Sequence, residues 1–191
     1  MNTRAWSPRY DAALALAARA HRNQVRKGTD TPYITHVVAV SVILLRHGFD
    51  EDLAIAGLLH DVVEDCDVEI EIIQAQFGER IAQLVAAVSE QKAVDGTPLP
   101  WEQRKADKLA HLRDGGPDVA ALKAADAMHN ARSIAADVQR DGPAVWQRFK
   151  GSPQQTLWYY EAIAAGVRQW LHEHPIALEL RDAVAVLSTL V

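Results

Sequence analysis

The 191-residue chain has a single cysteine, Cys66, so no internal disulfide framework can hold it together, and a reducing, cytoplasmic setting is expected. No apolar run approaches the roughly 18 residues that suggest a membrane span, so no membrane partner is expected. The N-terminal AALALAARA follows Asp11 and contains Arg19, then runs into polar HRNQVRKG, which reads as an amphipathic first helix rather than a signal peptide. A basic excess is also missing. Twenty Lys and Arg against 25 Asp and Glu give a net charge of −5, which argues against nucleic-acid binding by bulk charge. There is no strand-like alternation, low-complexity tract, long linker or internal repeat. What remains is an ordinary globular composition, 49% hydrophobic and 24% charged, long enough to bury a real core.

Helical periodicity dominates, and the expected architecture is one all-α domain over residues 1–191. The first helix is predicted from Pro8 to Asn23. A loop with Gly28, Asp30 and Pro32 follows, and Thr35 is expected to cap a second helix from His36 to about Gly48. Asp50 suits the cap of a third helix. Further helices are predicted near 68–76, 79–90, 100–113, 117–137, 143–149, 154–172 and 176–190, with KAVDGTPLP as the clearest loop.

The stretch GLLHDVVED, residues 57–65, combines core-like Leu58, Leu59, Val62 and Val63 with His60, Asp61, Glu64 and Asp65. On an unbroken helix those four polar groups form one stripe holding three carboxylates, a histidine and no base. A positive partner from outside the chain is therefore expected. His36, just after rigid TPYI, and Asp126, an acid within the Ala-rich KAADAMHN, are further candidate ligands. Two imidazoles and two carboxylates suit a borderline divalent cation such as manganese, iron or zinc. Alone, His60–Asp61 reads better as a hydrogen-bonded core pair.

Arg22, Arg26 and Lys27 precede His36 and point to an anion beside the metal, with the bases neutralising charge at a phosphate. Glu64 and Asp65 are then placed to orient or deprotonate water.

Together, AHRNQVRKGTDTPYITH, AGLLHDVVEDCDVEIEIIQAQFG and KAADAMHNARSI, within residues 12–135, resemble the hydrolase domain of the RelA/SpoT homologues. This is a branch of the His-Asp metal phosphohydrolases, and the stand-alone small alarmone hydrolases are the nearest type. The resemblance implies an all-α bundle with His36, His60, Asp61 and Asp126 as metal ligands, usually for manganese, and Glu64 and Asp65 handling the water. It implies a nucleotide pocket with Arg26, Lys27 and Tyr33, Asn130 near the ribose, and Lys105 toward the phosphates. The implied reaction removes the 3′-pyrophosphate from guanosine tetra- or pentaphosphate, giving GDP or GTP. With no room for a synthetase or regulatory domain, constitutive hydrolysis is expected; a homo-oligomer is compatible.

Three positions depart from the family pattern. Val37 stands where proline usually follows the first histidine, Ala127 where a basic residue is usual, and Gln155 where an arginine tends to precede Tyr159 by four residues. These leave open the adenosine analogue, NADPH or another phosphorylated nucleotide as substrate. A non-catalytic nucleotide-binding module is the rival of a different class. Arg104 and Lys108 could place Lys105 on a solvated face instead. His21 reads as supporting the site or packing, His47 as a helix-end contact, and Trp101, Trp146, Trp158 and Trp170 as core.

Overall fold

A computed structural model describes residues 7–90, 92–94 and 97–191. They are helical apart from loops, a two-residue antiparallel ladder and one isolated bridge, so the all-α expectation holds. The chain divides into two compact units, Met1–Ser89 and Glu90–Val191. Among the described residues no helix is long and apolar enough to cross a membrane.

In the first unit, α1 spans Pro8–Ala20, α2 Ile34–Arg46, α3 Glu51–Leu59, α4 Val62–Asp65, α5 Ile70–Phe77 and α6 Glu79–Val88. Helix α3 is the hub, touching α1, α2 and α6. Its run LAIAGLL is buried on every side, as an all-round apolar helix must be. Asp50 caps it as expected, its carboxylate accepting the Leu53 N–H at 3.0 Å. Gly57 lets α2 approach: a Cβ there would lie 2.9 Å from Leu44 Cδ1 and 3.1 Å from Ser41 Cα.

Three expectations fail in this unit. Helix α1 ends at Ala20, because His21 caps it and Gln24 begins the loop hydrogen bonds. Thr35 is no cap: α2 starts at Ile34, and the Thr35 hydroxyl bonds back to the Pro32 carbonyl at 2.8 Å. Nor is the His60–Asp65 segment one continuous stripe, since the helix breaks between Leu59 and Val62. The His60 Nδ1–H engages the Gly57 carbonyl at 2.9 Å, the acceptor an unbroken helix would offer to Asp61.

In the second unit, β1 (Ala93–Val94) pairs with β2 (Thr97–Pro98) inside the expected loop. Helix α7 spans Trp101–Asp114, α8 Gly116–Asp141, a 3₁₀ turn Pro143–Arg148, α9 Pro153–Leu171 and α10 Pro175–Ser188. The 26-residue α8 packs against α7, α9, α10 and the 3₁₀ turn. Trp158 corrects the core reading, being 51% exposed, whereas Trp146 is buried. Trp170 donates its indole N–H to the Leu112 carbonyl at 3.0 Å.

Candidate active site

Within the first unit, four predicted residues come together. The loop before α2 delivers Tyr33, the first turn of α2 delivers fully buried His36, and the α3–α4 break delivers His60 and Asp61. Tyr33 donates its hydroxyl to Asp61 Oδ2 at 2.7 Å. His60 Nε2 lies 3.0 Å and His36 Nε2 3.5 Å from the same oxygen. The two imidazoles meet edge to face with centroids 5.2 Å apart.

The protonation pattern follows from these contacts. A carbonyl only accepts, so the His60 Nδ1 facing Gly57 carries a proton, and Nε2 presents either a lone pair or a second proton. A lone pair opposed to a carboxylate at 3.0 Å is repulsive, so a cation belongs between them. Burial alone would raise the Asp61 pKa. The charge of a protonated His60 and hydrogen bonds from His36 and His60 outweigh that and hold the carboxyl well below the usual range.

A divalent metal also fits these donors. Ligand atoms each about 2.1 Å from an ion stand about 3.0 Å apart at right angles and about 3.4 Å apart at tetrahedral angles. The two nitrogen-to-oxygen separations, 3.0 and 3.5 Å, match that range. The Gly57 carbonyl also gives His60 the outer hydrogen bond that metal-binding imidazoles commonly make.

Around this group lie the other candidates from the first unit. The Arg26 guanidinium stacks over the Tyr33 ring, 5.5 Å from its centroid, while Lys27 is exposed. Glu64 is half-buried on α4. Asp65, one residue on, is exposed and accepts a hydrogen bond from Gln24 at 3.1 Å. Gln24 Oε1 in turn lies 2.6 Å from Nδ1 of buried His21, which stands 3.2 Å from Cys66 Sγ. His21 thus belongs to a polar chain leading to Asp65, and its ring lies 4.9 Å from Tyr33.

In the second unit, both oxygens of Asp126 are engaged along α8: Lys123 Nζ donates to one at 2.7 Å and Asn130 Nδ2 to the other at 2.6 Å. Sequence reasoning overlooked Lys123. Its signal is a buried lysine in an Ala-rich run, one turn before an acid. Lys105 donates to Glu90 at 2.8 Å. Arg104 and Lys108 are not on a solvated face either, for their side chains are only 14% exposed and surround the same Glu90. Gln155 is exposed and committed to a capping box, accepting the Ser152 N–H at 2.8 Å and donating its own N–H to the Ser152 hydroxyl at 3.1 Å.

A sequence model of the HD domain family matches residues 13–154. A guanosine-3′,5′-bis(diphosphate) 3′-pyrophosphohydrolase of Danio rerio, MESH1, is 34% identical over 149 residues, covering 76% of this chain and 75% of that one. A GTP pyrophosphokinase of Streptomyces coelicolor is 38% identical over 125 residues, but this chain spans only 14% of its length. Among solved structures, a metazoan orthologue of SpoT described as hydrolysing ppGpp superposes with a TM-score of 0.78 at 29% identity, over 94% of this chain and 96% of that one. The chain belongs to the HD domain family and, within it, to the RelA/SpoT homologues of the small alarmone hydrolase type.

Proposed function

We propose that this chain is a metal-dependent hydrolase that removes the 3′-pyrophosphate from guanosine tetra- or pentaphosphate, releasing GDP or GTP and pyrophosphate. The observation that carries the reading is the His60 Nε2 set against Asp61 Oδ2 at 3.0 Å, a pairing that calls for a cation. The relatives named for this reaction supply the substrate class.

His36, His60, Asp61 and Asp126 are the proposed ligands. Manganese is the proposed ion on the family resemblance, and the mixed nitrogen and oxygen donors are compatible with it. When bound, the ion lowers the pKa of water and neutralises charge at the reacting phosphate. Glu64 and Asp65 take the proton from the attacking water. That water forms a bond to the phosphorus attached to the ribose 3′-oxygen, and the P–O3′ bond breaks as the 3′-oxygen leaves and gains a proton. Arg26 and Lys27 neutralise phosphate charge, Tyr33 walls the pocket, Asn130 orients the ribose and Lys105 meets a phosphate. We further propose that the two units serve one domain, supported by a family match that crosses the boundary at Ser89. The single cysteine supports a cytoplasmic setting.

A second reading keeps the chemistry and changes the nucleotide to the adenosine analogue or NADPH. Gln155 favours it, because its side chain is spent on capping α9 and brings no guanidinium to a phosphate. Turnover of all these compounds with manganese, read by product identity, separates the two. GDP and pyrophosphate from guanosine tetraphosphate at the highest kcat/KM support the first reading. Faster turnover of an adenosine compound replaces it with the second.

A further inference from the structure

Gln24, in the loop after α1, reaches two parts of the candidate site through different atoms. Its backbone carbonyl accepts the Tyr33 N–H at 2.9 Å, and Tyr33 in turn donates its hydroxyl to Asp61. Its side-chain amide donates to Asp65 Oδ2 at 3.1 Å. One residue thus ties a proposed base to the residue that holds a proposed metal ligand.

The amide has one orientation that suits its neighbours. An ionised carboxylate only accepts, so the nitrogen faces Asp65 and the oxygen faces inward. There Oε1 lies 2.6 Å from Nδ1 of His21, which therefore carries a proton, and 3.7 Å from the Cys66 thiol, a second donor. His21 is 2% exposed and its ring lies 4.9 Å from that of Tyr33, so the inner end of the amide is anchored in packed structure. Donors on the carbonyl oxygen polarise an amide and strengthen the N–H offered at its other end.

Asp65 gains from such an anchor. It is exposed and ends α4, a single turn of four residues, so little packing constrains its carboxylate. A proton acceptor works at full rate only when held within a fraction of an ångström of its productive place. A neutral amide supplies that direction without setting a charge beside the base.

We propose that Gln24 is a positioning residue, which aims the Asp65 carboxylate for proton transfer through an amide that His21 fixes from behind. This rests on the role given to Asp65 in the function proposed above.

Steady-state kinetics of the manganese-supplemented full chain test it, on whichever of the nucleotides named above is turned over fastest. Gln24→Met keeps the side-chain length and the backbone bond to Tyr33 but removes the amide. Its kcat falls about tenfold or more, while KM and metal content stay within about twofold of the wild type. Added to Asp65→Ala, the same change lowers kcat no further, because no carboxylate is left to aim. An unchanged kcat in Gln24→Met overturns the proposal. So does an equal loss in both backgrounds, which is what a merely structural residue would give. Gln24→Glu serves if Gln24→Met does not fold: it keeps an acceptor for His21 but turns a carboxylate oxygen toward Asp65. Its kcat falls at least as far, again only while Asp65 is present, and a wild-type kcat overturns the proposal. A wild-type chain that releases no product from any of the nucleotides refutes the proposed function and this inference with it. An active wild type with an unimpaired Gln24→Met overturns the positioning alone.

Discussion

Tyr33 donates its hydroxyl to the same Asp61 oxygen that faces both His36 and His60, so one carboxylate oxygen is the meeting point of three aromatic side chains. Because the Arg26 guanidinium lies over the Tyr33 ring, the proposed anion-binding loop and the candidate metal ligands share one residue. Tyr33→Phe keeps the ring and removes the orienting hydrogen bond. It is expected to weaken metal affinity by about tenfold or more, with little change in melting temperature. Metal titration of the two proteins checks this, and equal affinities would show that the Tyr33 hydroxyl does not orient Asp61.

Gly57 links packing to the same site. A methyl at this position meets Leu44 Cδ1 at 2.9 Å and the Ser41 backbone nitrogen at 3.2 Å, so the α2 backbone must shift to admit it. Gly57→Ala gains about 1 kcal/mol of helix propensity but is expected to lose about 1–3 kcal/mol to overpacking. Chemical denaturation should therefore show net destabilisation. A more stable variant would mean that α2 and α3 can separate freely.

The Ser152–Gln155 capping box gives a prediction of the opposite kind. Gln155→Ala should cost about 1 kcal/mol of stability, a fall of about 2–4 °C in melting temperature. Metal content and KM for the nucleotide should not move. A several-fold rise in KM would instead place Gln155 at the phosphate.

Glu90 supplies a pH signature. Burial raises its pKa, yet Lys108 and Lys105 outweigh that and bring it down to about 2, from an ordinary 4.5. A carboxylate depressed on folding contributes stability that is present above its unfolded pKa and lost as pH falls through the folded one. The window is therefore between about pH 4.5 and 2, and the contribution is no more than about 3 kcal/mol. Denaturation across that range should give a flatter stability profile for Glu90→Gln than for the wild type. Parallel profiles would separate Glu90 from the cations.

Much of this was legible in the sequence, for identifiable reasons. Asp50, Pro8, Pro175 and Ser152 are start signals that act locally, so the helices they open lie where expected. The break at His60 and Asp61 was not legible, because neither glycine nor proline causes it. A side chain reaching back to the Gly57 carbonyl accompanies it, and only coordinates reveal that contact. The grouping of His36, His60 and Asp61 followed from residue chemistry, Tyr33 was named only through the family resemblance as a wall of the nucleotide pocket, and Lys123 and Glu90 escaped notice. Isolated buried charges carry no periodic signal; their partners on α7 and α8 explain them after the fact.

The central claim is that a divalent ion stands where His60 and Asp61 face each other. Metal content per chain, measured on protein equilibrated with manganese and then desalted, tests it most directly. The expected result is one ion per chain in the wild type and less than about a tenth of that in Asp61→Ala, with the fold retained by circular dichroism. An Asp61→Ala protein that keeps a full equivalent of metal would contradict it.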